Sequence, residues 1–383
     1  MRNFSPYIIL FGLSVKVLVA QTPLLHQDQE IFKSIREGLD HTYNFEFEKA
    51  QPHFLEIKKK YPHHPAYPFS QALVLFIKNF PMKPTHPDYK QFDYFVQDCF
   101  KKSEAILEKQ PQNADGIFFA LSANSYSVMM QAFSKDYLGA ISSAKKVYTY
   151  IKKGFEQTKN YPDFYYTSGL FYYYAAQYPE THPIIKPFMF FFEDGNKSEG
   201  LLDLNIAMLK GIYTKQEAYI LLAYVYLKYE NKPAKSLEYS EKFYYNYPNN
   251  PFALSKYIEG LLFNGDYPKA AELLPKLLST NVEYFRMTAE VYAGILDEKY
   301  HQKWESAKGH YVKSLQLCTQ LKNKTEDQQS FCYLGLGRIY EAKNDQKKAL
   351  LYYRKALDLA EYEAIKKESR ARLTSETRLF YQH

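Results

Sequence analysis

The sequence is poor in the residue patterns that carry chemistry. No glycine-rich phosphate loop is present: Gly335 and Gly337 sit inside a helical pattern, and no Lys-Ser/Thr pair follows them. There is no nucleophile elbow and no H-E-x-x-H pair. His63, His64, His86 and His182 are the metal candidates, each close to proline in a loop, and zinc needs three or four ligands in tetrahedral array. The expectation is therefore no metal, no cofactor and no catalysis. Cysteine is scarce, at 3 in 383 residues, and an odd count excludes a complete disulfide framework. Cys318 and Cys332 flank the 323–327 turn almost symmetrically, so a bridge between them is possible in an oxidising compartment. Runs of basic residues are also lacking. The net charge of +7 is spread along the chain, and Lys58-Lys59-Lys60 ends a helix, where cations suit the dipole. A nucleic-acid partner is not expected.

Long apolar runs are missing too. The one candidate, Tyr7 to Val19, is interrupted by Lys16 and is shorter than the ~20 residues a membrane span needs. With Arg2 before it and Ala20 before Gln21, it reads as a secretory leader over 1–20. Discounting Arg2 and Lys16 leaves a charge of +5. No cysteine sits at the cleavage site, where Gln21 follows Ala20, so a lipid anchor is not expected. The compartment expected is periplasmic or extracellular, with N-terminal membrane anchoring if the leader is retained.

Aromatics are abundant: 38 Tyr and 28 Phe account for nearly all of the 17% aromatic content. The most informative stretch is Tyr333 to Leu357. Two amphipathic helices meet at a polar turn, Lys343-Asn344-Asp345. Leu336, Gly337 and Tyr340 share a face of the first helix. Ala349, Tyr353 and Ala356 share a face of the second, at offsets 0, +4 and +7. Small residues let two backbones approach, and tyrosines fill the space beside them. This unit resembles the tetratricopeptide repeat. The resemblance implies an all-α solenoid of helical hairpins, wound as a right-handed superhelix.

The same pattern serves as a ruler for the rest of the chain. Gly38 precedes Ala50 by 12 positions, as Gly337 precedes Ala349, and Phe54 and Ile57 follow Ala50 at +4 and +7. Ser236, Ser240 and Phe243 repeat the spacing with one extra turn residue. Ala270, Leu274 and Leu277 follow 34 positions on, the period of the family. Ala307, Tyr311 and Ser314 come next. Residues 21–160 read as degenerate helical hairpins. In 161–215, Gly169 takes the small-residue place of a first helix and Gly200 that of a second. They are 31 positions apart rather than 12, which implies an insertion of 19 residues within about 175–199. The block 169–226 also resembles the tetratricopeptide repeat protein 39 family. Residues 216–383 read as well-formed repeats closed by a charged capping helix, and seven to nine hairpins fit the chain.

The resemblance implies a non-catalytic scaffold that holds a protein or peptide partner in its concave groove. Tyr172, Tyr173, Tyr224, Asn231 and Tyr257 are candidate groove residues. Phe188, Phe190, Phe191 and Phe192 within the insertion are candidates for a docking surface, since leaving such side chains exposed forgoes ~1.5–3 kcal/mol each. An exported glycan-binding protein on the same scaffold is the alternative.

Overall fold

The computed structural model describes residues 24–133, 147–181, 193–321 and 325–380, and every regular element among them is helical. In chain order the helices are α1 (Gln29–Tyr43), α2 (Phe47–Lys60), α3 (Ala66–Lys78), α4 (Tyr89–Leu107), α5 (Ala114–Phe133) and α6 (147–155). Then come α7 (Phe164–Thr181), α8 (Lys197–Lys210), α9 (Lys215–Lys228), α10 (Pro233–Asn246), α11 (Pro251–Asn264) and α12 (Tyr267–Leu278). The chain ends with α13 (Glu283–Lys299), α14 (Trp304–Leu321), α15 (Glu326–Ala342), α16 (Gln346–Leu359) and α17 (Glu363–Phe380). Consecutive helices pack on one another, most closely as the pairs α1/α2, α4/α5, α7/α8, α9/α10, α13/α14 and α15/α16. The architecture is a helical solenoid closed by α17. None of the helices searched among the described residues is long and apolar enough to cross a membrane.

The spacing expected from the sequence is what the packing uses. Ala50, Phe54 and Ile57 are buried, as are Ala270, Leu274 and Leu277, and Ala349, Tyr353 and Ala356. Ser236, Ser240 and Ser314 are buried at the same places, each hydroxyl donating to a main-chain carbonyl. A small polar residue serves there because its hydroxyl finds a partner.

The five well-formed hairpins also share a turn. One residue between their helices lies in the left-handed region: Phe45 (φ 61), Asn231 (φ 49), Gly265 (φ 77), Gln302 (φ 57) and Asn344 (φ 59). A backbone bond spans each turn. Glu46, Asp266 and Asp345 donate to the carbonyl five residues back, and Lys232 and Lys303, in the longer turns, to the one six back. Such bonds satisfy carbonyls left free at a helix end.

The solenoid curls so that α1 meets α9 to α11, and the α3–α4 loop reaches α11, α13 and α14. The Tyr43 hydroxyl donates to Glu217, the Tyr247 hydroxyl to Asp40 at 2.8 Å, and the Asn250 amide to the Tyr43 carbonyl at 2.9 Å. In the α3–α4 loop, the Phe80 ring lies 5.4–5.9 Å from those of Phe252, Tyr284 and Phe285, and Lys83 donates to the last carbonyl of α14, Leu321. The buried core is accordingly continuous from Leu25 to Ile365. A smaller core, around Tyr173, Leu204 and Leu222, joins α7, α8 and α9.

Part of 175–199 lengthens the flanking helices, since α7 runs on through Pro179 to Thr181 and α8 begins at Lys197. Proline sacrifices one helical hydrogen bond, and here that loss does not end the helix. One expectation is corrected: Cys318 and Cys332 are free thiols, not a bridge. Cys318 is hydrogen-bonded by Thr325 and Ser314, and Cys332 by Ser314.

Candidate partner-binding recess

The first helices of two successive hairpins, α7 and α9, share the smaller core, and Tyr166, Tyr174 and Tyr224 lie partly buried against it. The start of α9 is pinned by Asp163, whose Oδ1 accepts the amides of Ile212, Tyr213 and Thr214 and the Thr214 hydroxyl at 2.8–2.9 Å. From that fixed start α9 turns Glu217, Tyr224 and Lys228 inward, at offsets 0, +7 and +11. Beside it α7 presents Tyr166, Tyr174 and Tyr178, spaced by eight and four. Glu217 and Lys228 are about 16 Å apart along the helix axis.

At the inner end, Glu217 accepts a 2.5 Å hydrogen bond from Tyr43 of α1. Its charge also reaches the phenols of Tyr126 on α5 and Tyr166 on α7. Burial pushes the Glu217 carboxyl up from the ordinary 4.5, against the Tyr43 bond that favours the ionised form. Yet Glu217 and Tyr166 keep accessible surface and are only half-buried. Tyr126 is half-buried too, and lines a hollow between α4 and α5 with Tyr89 and Phe92. Among the described residues no lysine, arginine or histidine pairs with Glu217.

At the outer end sits Lys228, 2% exposed. Its ammonium donates to Asp327 at 2.8 Å, to Glu361 at 2.6 Å and to the Tyr224 hydroxyl at 2.5 Å. It also lies 4.6 Å from the centre of the Tyr224 ring, 5.4 Å from Tyr362 and 6.0 Å from Tyr229. Burial alone would depress the Lys228 pKa; Asp327 and Glu361 reverse that and hold it at about 12. Tyr174 stacks on Tyr178 at 5.0 Å and meets Tyr229 edge-on at 6.1 Å. Tyr178 is 44% exposed and forms the lip. Beyond the cage, Lys256 pairs with Glu259 at 2.8 Å, and Tyr362 donates to the same carboxylate. These two clusters together hold four carboxylates (Glu217, Glu259, Asp327, Glu361) against two ammoniums (Lys228, Lys256).

Of the residues chosen from the sequence, Tyr224 lies in this recess. Tyr173, on the other side of α7, is fully buried and donates to Glu230 at 2.9 Å. Tyr172 stacks on Phe155 at 5.3 Å. Tyr257 is fully buried, donates to Glu241 at 2.8 Å and stacks on Tyr244. Asn231 is the left-handed turn residue between α9 and α10. Phe188, Phe190, Phe191 and Phe192 lie outside the described residues, as does His182. His64 is buried and His86 half-buried, and each ring accepts a nearby backbone amide at 3.1 Å. No cluster suited to a metal occurs among the described residues. Sequence reasoning missed Tyr166, Tyr174, Tyr178, Glu217, Lys228, Asp327 and Glu361. A signal for part of the set was present: Glu217 and Lys228 are charged residues eleven apart on a largely apolar helix, hence on one face.

With this geometry in place, likenesses to known proteins can be set beside it. Residues 288–361, spanning most of α13 to α16, match the family model described as tetratricopeptide repeat. No curated protein matches the chain. Among solved structures, the chain is similar to the C-terminal part of a TPR repeat-containing protein from Cytophaga hutchinsonii, at 14% identity and TM-score 0.36, covering 73% of this chain and 94% of that one. It is similar to yeast Tom70 at 14% identity and TM-score 0.39, over 82% of this chain and 64% of Tom70. It is also similar to human IFIT1, solved as a dimer with PPP-AAAA, at 15% identity and TM-score 0.35, over 88% and 85% of the two chains. The 288–361 segment is thus made of tetratricopeptide repeats, and the same hairpin with its left-handed turn recurs at α1/α2, α9/α10 and α11/α12.

Proposed function

We propose that this chain is a non-catalytic scaffold of tetratricopeptide type, acting in an exported compartment and holding a segment of a protein or peptide partner in the α7–α9 recess. The observation that carries the reading is the half-buried line of Tyr166, Glu217, Tyr174 and Tyr224, which keeps solvent access inside the curve of the solenoid. Phenols are suited to this role because they give contact area at low entropic cost and carry a polar tip. The partner enters past Tyr178. Export rests on the leader-like stretch before Gln21.

Affinity purification of the tagged chain from its native host, after cross-linking, tests the scaffold. One specific partner is expected, and its recovery should be lost when Tyr174 and Tyr178 are both changed to alanine. Recovery of nothing specific, or recovery indifferent to those changes, sinks the reading. N-terminal sequencing of the native protein tests export: a start at Gln21 is expected, and an intact start at Met1 counts against cleavage.

A further inference from the structure

We infer that the inner end of the recess is a receptor for one cationic side chain, an arginine or lysine of the partner segment, which Glu217 and the phenols of Tyr43, Tyr126 and Tyr166 would hold. The inference rests on the scaffold reading and adds the chemistry of what is held.

The protein shows the same chemistry filled by its own lysine at the other end. There, carboxylates and tyrosine faces enclose the Lys228 ammonium, with Asp327 and Glu361 as counter-charges and Tyr224, Tyr229 and Tyr362 as walls. At Glu217 the carboxylate and the phenols recur, and no described cation completes them. The two clusters together carry more carboxylate than ammonium, so a cation is drawn inward and an anion is not. Tyr43 uses its hydroxyl proton on one Glu217 oxygen, Oε1. The second oxygen is left for an incoming donor, and accessible surface at Glu217 gives it a way in. A guanidinium fits best, since it can bond a carboxylate and stack on a phenol at once. Its arrival favours the ionised carboxylate, opposing the burial that raises the Glu217 pKa.

The test selects phage-displayed random decapeptides on the whole chain and on its Glu217→Gln variant. Synthetic versions of the selected peptides, with arginine or its neutral isostere citrulline, are then titrated by calorimetry. Peptides selected on the unaltered chain should share one basic residue. Citrulline there should weaken binding about tenfold or more, the scale of 1.4 kcal/mol or above. The same change should matter little on Glu217→Gln. Selected peptides that bind equally well with citrulline would overturn the cation inference and leave the scaffold standing. Failure to select any peptide that competes with changes at Tyr174 and Tyr178 would overturn both. Should Glu217→Gln lose its fold by circular dichroism, the citrulline comparison on the unaltered chain decides alone.

Discussion

Gly169 and Gly200 face each other backbone to backbone, although they are 31 positions apart. A Cβ placed on Gly169 would lie 2.8 Å from the Gly200 carbonyl oxygen, and one on Gly200 would lie 2.6 Å from the Tyr173 amide nitrogen. The obstacles are main chain, which cannot swing aside. Alanine is ordinarily worth up to about 1 kcal/mol over glycine within a helix. Here the sign should reverse. Gly200→Ala is expected to destabilise by about 1–3 kcal/mol, the range for overpacking. Gly309→Ala, in α14 with nothing within 4 Å, is expected to stabilise by roughly 0.5–1 kcal/mol. Urea denaturation followed by circular dichroism reads both. Equal signs would remove close approach as the reason for glycine in α7 and α8.

The three thiols give a second prediction. Cys99 and Cys332 are buried, and burial pushes both well above the ordinary thiol range. Cys318, 5% exposed, is shifted the same way by burial. A thiol held protonated is a poor nucleophile. The native protein is expected to react slowly or not at all with Ellman's reagent, and to give 3 equivalents after unfolding in guanidinium without reductant. A single equivalent after unfolding would restore the Cys318–Cys332 bridge that the structure lacks.

The hairpins were legible in the sequence because each is local. Ala50, Phe54 and Ile57 share a face by helical spacing alone, and the same ruler paired Gly169 with Gly200 across the insertion. The left-handed turn was less legible. Gly265, Asn231 and Asn344 are residues that take this state readily, whereas Phe45 and Gln302 are not. What they share is a backbone state that the paired helices impose. The recess was hidden for a different reason. Its residues come from α1, α5, α7, α9, α15 and the turn before α17, and they meet because α9 in the middle of the chain bonds to both α1 and the C-terminal helices. No local period encodes that closure. Tyr173 and Tyr257 looked like groove residues because aromatic content does not tell the inward side of a helix from the side that packs on its partner.

Lys228 should matter for stability more than a surface lysine does. It joins α9 to Asp327 at the start of α15 and to Glu361 just before α17, with 2% of its side chain exposed. Removing one member of a buried ion pair costs roughly 3–5 kcal/mol. Lys228→Met is expected near the low end, because Asp327 and Glu361 keep 26% and 30% of their side-chain surface. Hydrogen exchange should show the loss in α15 and α17 before the N-terminal hairpins. Uniform loss along the chain, or none, would mean that the ion pair does not tie these elements together.

Glu217 sets a pH dependence with a defined sign. Its folded-state pKa is raised above 4.5 by burial, so folding takes up a proton wherever the unfolded carboxyl is ionised and the folded one is not. Below about pH 4.5 the group is protonated in both states and contributes no slope. As pH rises from there to the folded pKa, stability falls, at up to about 1.4 kcal/mol per pH unit. Above the folded pKa the loss is complete and the slope ends. Glutamine cannot ionise, so Glu217→Gln should lack this fall and gain on the unaltered chain between pH 4.5 and 8. Tyr43→Phe should carry the loss to higher pH and so enlarge it, since it removes the hydrogen bond that favours the ionised carboxylate. Thermal melts of the three proteins across that range measure the differences directly. Parallel curves for the unaltered chain and Glu217→Gln would show that the carboxyl is not desolvated, and the recess would then be too open to discriminate a charge.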